Sequence, residues 1–176
     1  MSGTDNIICS WDLFILVFYK YGTDHFQVSV KTLEKNCTFC KIVDGTIAAR
    51  IISQNDKAVA FLDAFPLSVG HTLIIPKRHY SKVQDMNREF SSAIFDLLRI
   101  VTPAVEEATG VKASTIAIHN GLEAGQEVLH VHIHIIPRIS GDGAGPVHSM
   151  FRNRPKINSE KMDSMLDKIK DRVELS

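Results

Sequence analysis

The segment Val128 to Arg138, VLHVHIHIIPR, alternates imidazole and aliphatic side chains through His130, His132 and His134. A period of two belongs to extended backbone, where successive side chains point to opposite faces. The spacing therefore predicts a strand with three histidines on one face and Val131, Ile133 and Ile135 on the other. Histidine occupies 8 of 176 positions. The chance that three named positions are all histidine is about one in ten thousand, so composition alone is a weak explanation. An exposed polar strand face is one use of such a pattern. A three-histidine metal site is another, but same-face neighbours on a strand lie about 7 Å apart, too far for several to reach one ion at about 2 Å. The third use is chemical. Neutral imidazole is a nucleophile near pH 7 and its neighbours can donate protons to oxygen, a combination that suits attack on phosphorus.

The lead-in Asn120-Gly121-Leu122-Glu123-Ala124-Gly125-Gln126 reads either as a plain turn or as a cradle in which glycines let backbone amides face an anion, with Asn and Gln as uncharged donors. Three further runs, Lys57 to Asp63, His71 to Pro76 and Ala113 to His119, are short, apolar and bounded by Gly, Pro or Asn, as strands are. Between the last two, Phe90, Ile94, Leu97, Leu98, Val101 and Val105 recur at helical spacing, with Asp85 or Asn87 as N-cap and Gly110 as the stop. Pro103 is expected to kink or split that helix. Ser140 to Pro146 is a loop, and Asn158 to Val173 a second helix carrying Met162, Met165, Leu166, Ile169 and Val173 on one side. The pair Cys37-x-x-Cys40 is open between zinc, redox chemistry and packing.

A chain of 176 residues, 44% hydrophobic and 23% charged, can bury one ordinary core. Twenty Lys and Arg balance twenty Asp and Glu, so bulk charge draws it to neither nucleic acid nor an anionic membrane. Three cysteines are an odd count for a disulfide framework, which favours a reducing compartment and a cytoplasmic location, with Cys9 inert. Ile7 to Tyr19 is an apolar run broken by Ser10 and Asp12. It is short of the roughly 20 apolar residues of a spanning helix and lacks a basic lead, so neither anchor nor signal is expected. Residues 1–36 read as an extension, either packed on the domain or outside the true protein through a start nearer Val28, Val30 or Leu33; residues 37–176 read as the domain.

HVHIHIIPR resembles the signature of the histidine triad family of nucleotide hydrolases and transferases, His-φ-His-φ-His-φ-φ with φ apolar. NGLEAGQEVLH is similar to that family's phosphate loop, and the likeness runs back through GHTLIIPKRH and FLDAF to CTFCKIVDGTIAA, about a hundred residues from Cys37 to Arg138. The resemblance implies that His132 attacks the α-phosphorus, that His134 hydrogen-bonds the phosphate and that His130 holds the geometry. It further implies phosphate contacts from Asn120, Gly125, Gln126, the amide of Glu127 and His71, ribose contact from Asp63, and a base pocket walled by Phe39, Ile42 and Phe61. It supplies His79 and His130 to Cys37 and Cys40 as a structural Cys₂His₂ zinc site, the one cofactor expected, with no catalytic cofactor. A homodimer with sheets continued across the interface is implied as well.

Two departures stand out. Many relatives carry Ser or Thr where this chain has Glu127, whose carboxylate repels an anion if it points inward. The phosphoramidate branch often ends in an aromatic residue, whereas the one Trp here is Trp11 and IIPRI followed by SGDGAGP looks closer to the microbial branch. The expected fold is α+β, a mainly antiparallel five-stranded sheet with one long and one C-terminal helix. The expected function is cleavage of purine nucleoside phosphoramidates or acyl-adenylates through a nucleotidyl-histidine. A diadenosine polyphosphate hydrolase and a nucleotide-binding scaffold with vestigial hydrolysis are the alternatives.

Overall fold

In the computed structural model of the chain, residues 34–150 and 155–173 are described. The apolar run Ile7 to Tyr19, Cys9 and the basic residues Arg152 and Arg154 lie outside them. The chain divides into two compact units between Ile139 and Ser140. The first holds a short helix α1 (Thr38–Val43), strands β1 (Ile51–Gln54), β2 (Ala58–Leu62) and β3 (Thr72–Pro76), the long helix α2 (Arg88–Thr109), and strands β4 (Ser114–Ala117) and β5 (Ile133–Pro137). The five strands form one antiparallel sheet in the order β1-β2-β3-β5-β4. The α+β fold expected of the sequence is the fold observed.

Strand alternation divides two cores. Ala58, Ala60, Ile74, Val131, Ile133 and Ile135 meet Ile94, Leu97, Val101 and Val105 of α2 on one face. Val59, Phe61, Leu73 and Ile75 face the other way and pack with Cys37, Phe39 and Cys40 around α1. His134 lies between Ile133 and Ile135, pairs with Leu73 across the ladder, and so belongs to the α1 face. Helix α2 starts at Asn87, whose side chain accepts from the Phe90 N–H, and stops at Gly110, with φ 71°. It runs unbroken through Pro103. An interior proline costs about 3 kcal/mol, whereas burying four aliphatic side chains returns about 6 kcal/mol or more, so packing wins.

Strand β5 is shorter than the alternation predicts. It begins at Ile133, leaving His130 and His132 on a lead-in outside the sheet that bends as far as His130. Continuing the register Leu73↔His134 and Ile74↔Ile133 would bring Val131 opposite Pro76, which has no N–H to give. The Val131 N–H goes to Tyr80 O instead, at 2.7 Å. The side-chain alternation nonetheless survives, since Val131 stays in the α2 core.

In the second unit, helix α3 (Ser159–Val173) forms where the spacing predicts, with the Asn158 side chain accepting from the Lys161 N–H. No residue of it is buried; Met162, Met165, Leu166, Ile169 and Val173 are all exposed. Among the described residues no helix is long and apolar enough to cross a membrane.

Candidate active site

Backbone groups assign the imidazole tautomers. His130 Nε2 lies 2.8 Å from Pro76 O; a carbonyl only accepts, so Nε2 carries the proton and Nδ1 keeps its lone pair. His132 does the reverse, giving its Nδ1–H to His130 O at 2.7 Å and leaving Nε2 as the open lone pair. A third chain starts at the Leu67 N–H, which donates to His71 Nδ1 at 3.1 Å. His71 must then be protonated at Nε2, which donates to His134 Nδ1 at 2.9 Å. His134 in turn carries its proton on Nε2, a buried atom with no partner.

These rings meet in a cleft of about 500 Å³ on the α1 face of the sheet. Phe39, Ile42 and Phe61 form its apolar side, and Asp63, His71, Gly125, Glu127, His132 and His134 its polar side. Phe39 stands edge-on to Phe61 and His132, with centroids at 5.9 and 5.2 Å. Asp63 accepts from the Phe65 N–H through Oδ1, and its Oδ2 comes within 3.4 Å of His71 Nδ1. That approach joins a carboxylate to a neutral ring, because Leu67 already occupies the nitrogen's lone pair.

Burial is the main cause that lowers the proton affinity of His71, opposed by Asp63, and of His132, opposed by the His130 carbonyl. Burial and then the neighbouring imidazoles push His134 down to about 4. His71, His132 and His134 are therefore neutral at pH 7, His132 with a lone pair and His134 with an N–H, the complementary pair that attack on an anionic phosphorus requires. On distances, Asp63, His71 and His134 could also surround a cation. The near-parallel His71 and His134 rings face each other head-on, with centroids at 5.2 Å and an interplanar angle of 21°. The 2.9 Å between their nitrogens holds a proton and has no room for an ion about 2 Å from each.

The second cluster is Cys37, Cys40, His79 and His130. His130 Nδ1 lies 3.5 Å from Cys37 Sγ and 3.7 Å from Cys40 Sγ, and His79 Nδ1 lies 3.4 Å from Cys40 Sγ. A tetrahedral zinc with ordinary Zn–S and Zn–N bonds has N···S edges of about 3.6 Å. The donor set and the spacing thus fit zinc. Burial, with Cys37 alongside, pushes the Cys40 thiol up to about 11, a cost that a divalent cation reverses by binding thiolate. The Pro76 carbonyl fixes the His130 tautomer that exposes Nδ1 to this cluster.

His130 is fully buried beside the cysteines, where the resemblance set it as a ligand. Two residues expected at the phosphate make their contacts elsewhere. Asn120 accepts from the Val83 N–H at 2.9 Å and donates to Gln84 at 3.0 Å. Gln126, also buried, bridges the Gly121 N–H and Ser81 O at 2.8 and 2.9 Å. Both amides brace the loop, whose turn is made by Gly121 (φ 116°) and Gly125 (φ 86°). The sequence reading missed His119, which lines the cleft with its ring 5.5 Å from His134, and Arg50, the one Lys or Arg of the described lining. Neither lies in a periodic motif. His119 ends a run that reads as ordinary strand, and only its sheet position brings it to the triad.

A family model described as HIT domain matches residues 44–141. The adenylylsulfatase HINT3 of Arabidopsis thaliana is 35% identical over 134 residues, covering 76% of this chain and 68% of its own. An adenosine 5'-monophosphoramidase of Schizosaccharomyces pombe is 40% identical over 135 residues, 74% of this chain and 98% of its own. Among solved structures, a Zn-bound histidine triad family protein from Mycobacterium smegmatis superposes with a TM-score of 0.59 at 33% identity, over 69% of this chain and 84% of that one.

Proposed function

This chain belongs to the HIT domain family and is a nucleotide-binding hydrolase of it, and from that premise we propose that it cleaves purine nucleoside phosphoramidates or acyl-adenylates through a nucleotidyl adduct on His132. One observation carries the reading: the 2.7 Å bond from His132 Nδ1 to His130 O leaves the Nε2 lone pair to a ring that lines the cleft. In this reading Nε2 bonds to the α-phosphorus as the leaving group departs with the electron pair of the broken bond. Water then adds to phosphorus, and the N–P pair returns to His132. The unpartnered Nε2–H of His134 donates to a phosphate oxygen, with its tautomer held by His71. The Glu127 amide donates to the same anion, while the Gly125 N–H is held by Leu122 O at 2.9 Å and Gly125 serves by turning the loop. Asp63 takes the ribose hydroxyls and the Phe39, Ile42 and Phe61 wall takes the base.

Zinc on Cys37, Cys40, His79 and His130 supplies structural cross-linking and no reaction chemistry. The same proposal keeps residues 37–176 as the functional domain, with a homodimer acting in the cytoplasm. The adenylylsulfatase and adenosine 5'-monophosphoramidase activities for which the Arabidopsis and fission yeast relatives are named support α-phosphorus chemistry over a scaffold role. The test is turnover of adenosine 5'-phosphoramidate, an acyl-adenylate and a diadenosine polyphosphate by the wild-type chain and by His132→Ala. The expected result is loss of about 10³-fold or more in the variant and a mass-shifted His132 peptide after rapid quench of the wild type. Equal turnover by the two proteins would refute the reading, and preference for the diadenosine compound would move it to that substrate class.

A further inference from the structure

Position 127 leaves the reaction one proton short. Departure of an amine from phosphorus needs a proton on the leaving nitrogen, and Glu127 brings a carboxylate, an acceptor, where a hydroxyl would donate. His71 and His130 have spent their ring N–H groups on His134 and Pro76. His132 has spent its N–H on a carbonyl, and that of His134 is needed by the phosphate. His119 is the ring that is left. It lines the cleft with His132, His134 and Glu127, and its ring lies 5.5 Å from that of His134 at a tilt of 52°. It is half-buried, so solvent can reload it with protons, and neither ring nitrogen bonds to a described residue. His119 lowers and Glu127 raises the proton affinity of His132, after the larger effects of burial and the His130 carbonyl.

Resting on the proposed reaction at His132, we infer that His119 is a further catalytic residue, the proton donor to leaving groups that depart as amines. His132 Nε2 bonds to the α-phosphorus while the P–N bond breaks; the departing nitrogen keeps that electron pair and takes a proton from the His119 imidazolium. Water then returns a proton to neutral His119 as its oxygen bonds to phosphorus, and the N–P pair goes back to His132. A leaving group that is the anion of a strong acid, such as sulfate, needs no proton in the first step. His119 therefore tilts the enzyme towards basic leaving groups.

The experiment compares kcat/KM for adenosine 5'-phosphoramidate and for adenosine 5'-phosphosulfate, two substrates that give the same adenylyl adduct, in the full chain and in His119→Ala. General-acid loss is worth about 10²-fold or more, so the ratio of phosphoramidate to phosphosulfate kcat/KM falls by about that factor. His119→Gln, which keeps a hydrogen-bond donor and most of the ring's volume but transfers no proton, shows the same fall and guards against a misfolded alanine variant. A purely structural prop for His134 would lower both substrates together. An equal loss on both, or no loss, overturns the inference while the adduct on His132 stands. A wild-type chain inactive on both overturns the underlying reaction and this inference with it.

Discussion

His130 and His132 stand two residues apart on the lead-in to β5, both buried, and each gives one ring N–H to a backbone carbonyl. His130 uses Nε2, towards Pro76, and His132 uses Nδ1, towards His130 itself. That exchange of ring nitrogens separates two sites. The free Nδ1 of His130 turns to the cysteines and the free Nε2 of His132 belongs to the cleft. Identical side chains on one face acquire different chemistry because the backbone supplies each a different acceptor.

The largest effect that could break this comparison is on the metal side. Cys40→Ser, or removal of zinc from metal-replete protein by a strong chelator, is expected to cost about 4 kcal/mol or more of stability, read as a large fall in Tm. His132→Ala is expected to cost only about 1–2 kcal/mol of stability while abolishing turnover. Near-zero zinc in metal-replete protein, or an unchanged Tm for Cys40→Ser, would leave the quartet as a packed thiol pair and dissolve the division of labour. The next effect lies in the cleft. His71→Ala removes the donor that sets the His134 tautomer, so His134 can turn a lone pair instead of an N–H towards the phosphate. A fall of about 10-fold to 10²-fold in kcat/KM, with Tm little changed, is the expected outcome. Wild-type activity in this variant would show that the tautomer needs no such setting.

Alternation and helical spacing made most of this framework legible. The α2 core, both helix boundaries near Asn87 and Asn158, and the histidines of the triad follow from local pattern. What escaped depends on partners distant in sequence. Strand β1 is a mostly exposed edge, with a register shift between Ile51 and Ser53 that spoils alternation. The early stop of β5 follows from a proline on the neighbouring strand, and the roles of Asn120 and Gln126 from Val83, Gln84 and Ser81. The resemblance to the triad family placed Asn120 and Gln126 by residue type, while their contacts are set by the turn packed beside them.

The smallest effect concerns protonation on the cleft side. The folded chain holds His134 near 4 where an ordinary histidine titrates at 6.5, because its charged form is buried among other imidazoles. Between those values the unfolded chain binds a proton that the folded chain refuses, so acid favours unfolding. The stability linked to His134 is complete above about pH 6.5 and is lost as the pH falls towards 4. Partial exposure of the ring discounts the full shift to about 1–2 kcal/mol. His130 is pushed to about 4 as well, and zinc on its Nδ1 competes with the proton over the same range, so the measurement must isolate His134. Urea unfolding at pH 7.5 and pH 4.5, in wild type and His134→Gln, does so. The wild type should lose about 1–2 kcal/mol more than the variant between the two pH values. An equal loss in both would mean that His134 takes its proton in the folded cleft at ordinary pH, and the neutral, N–H-donating ring assigned to it would no longer hold.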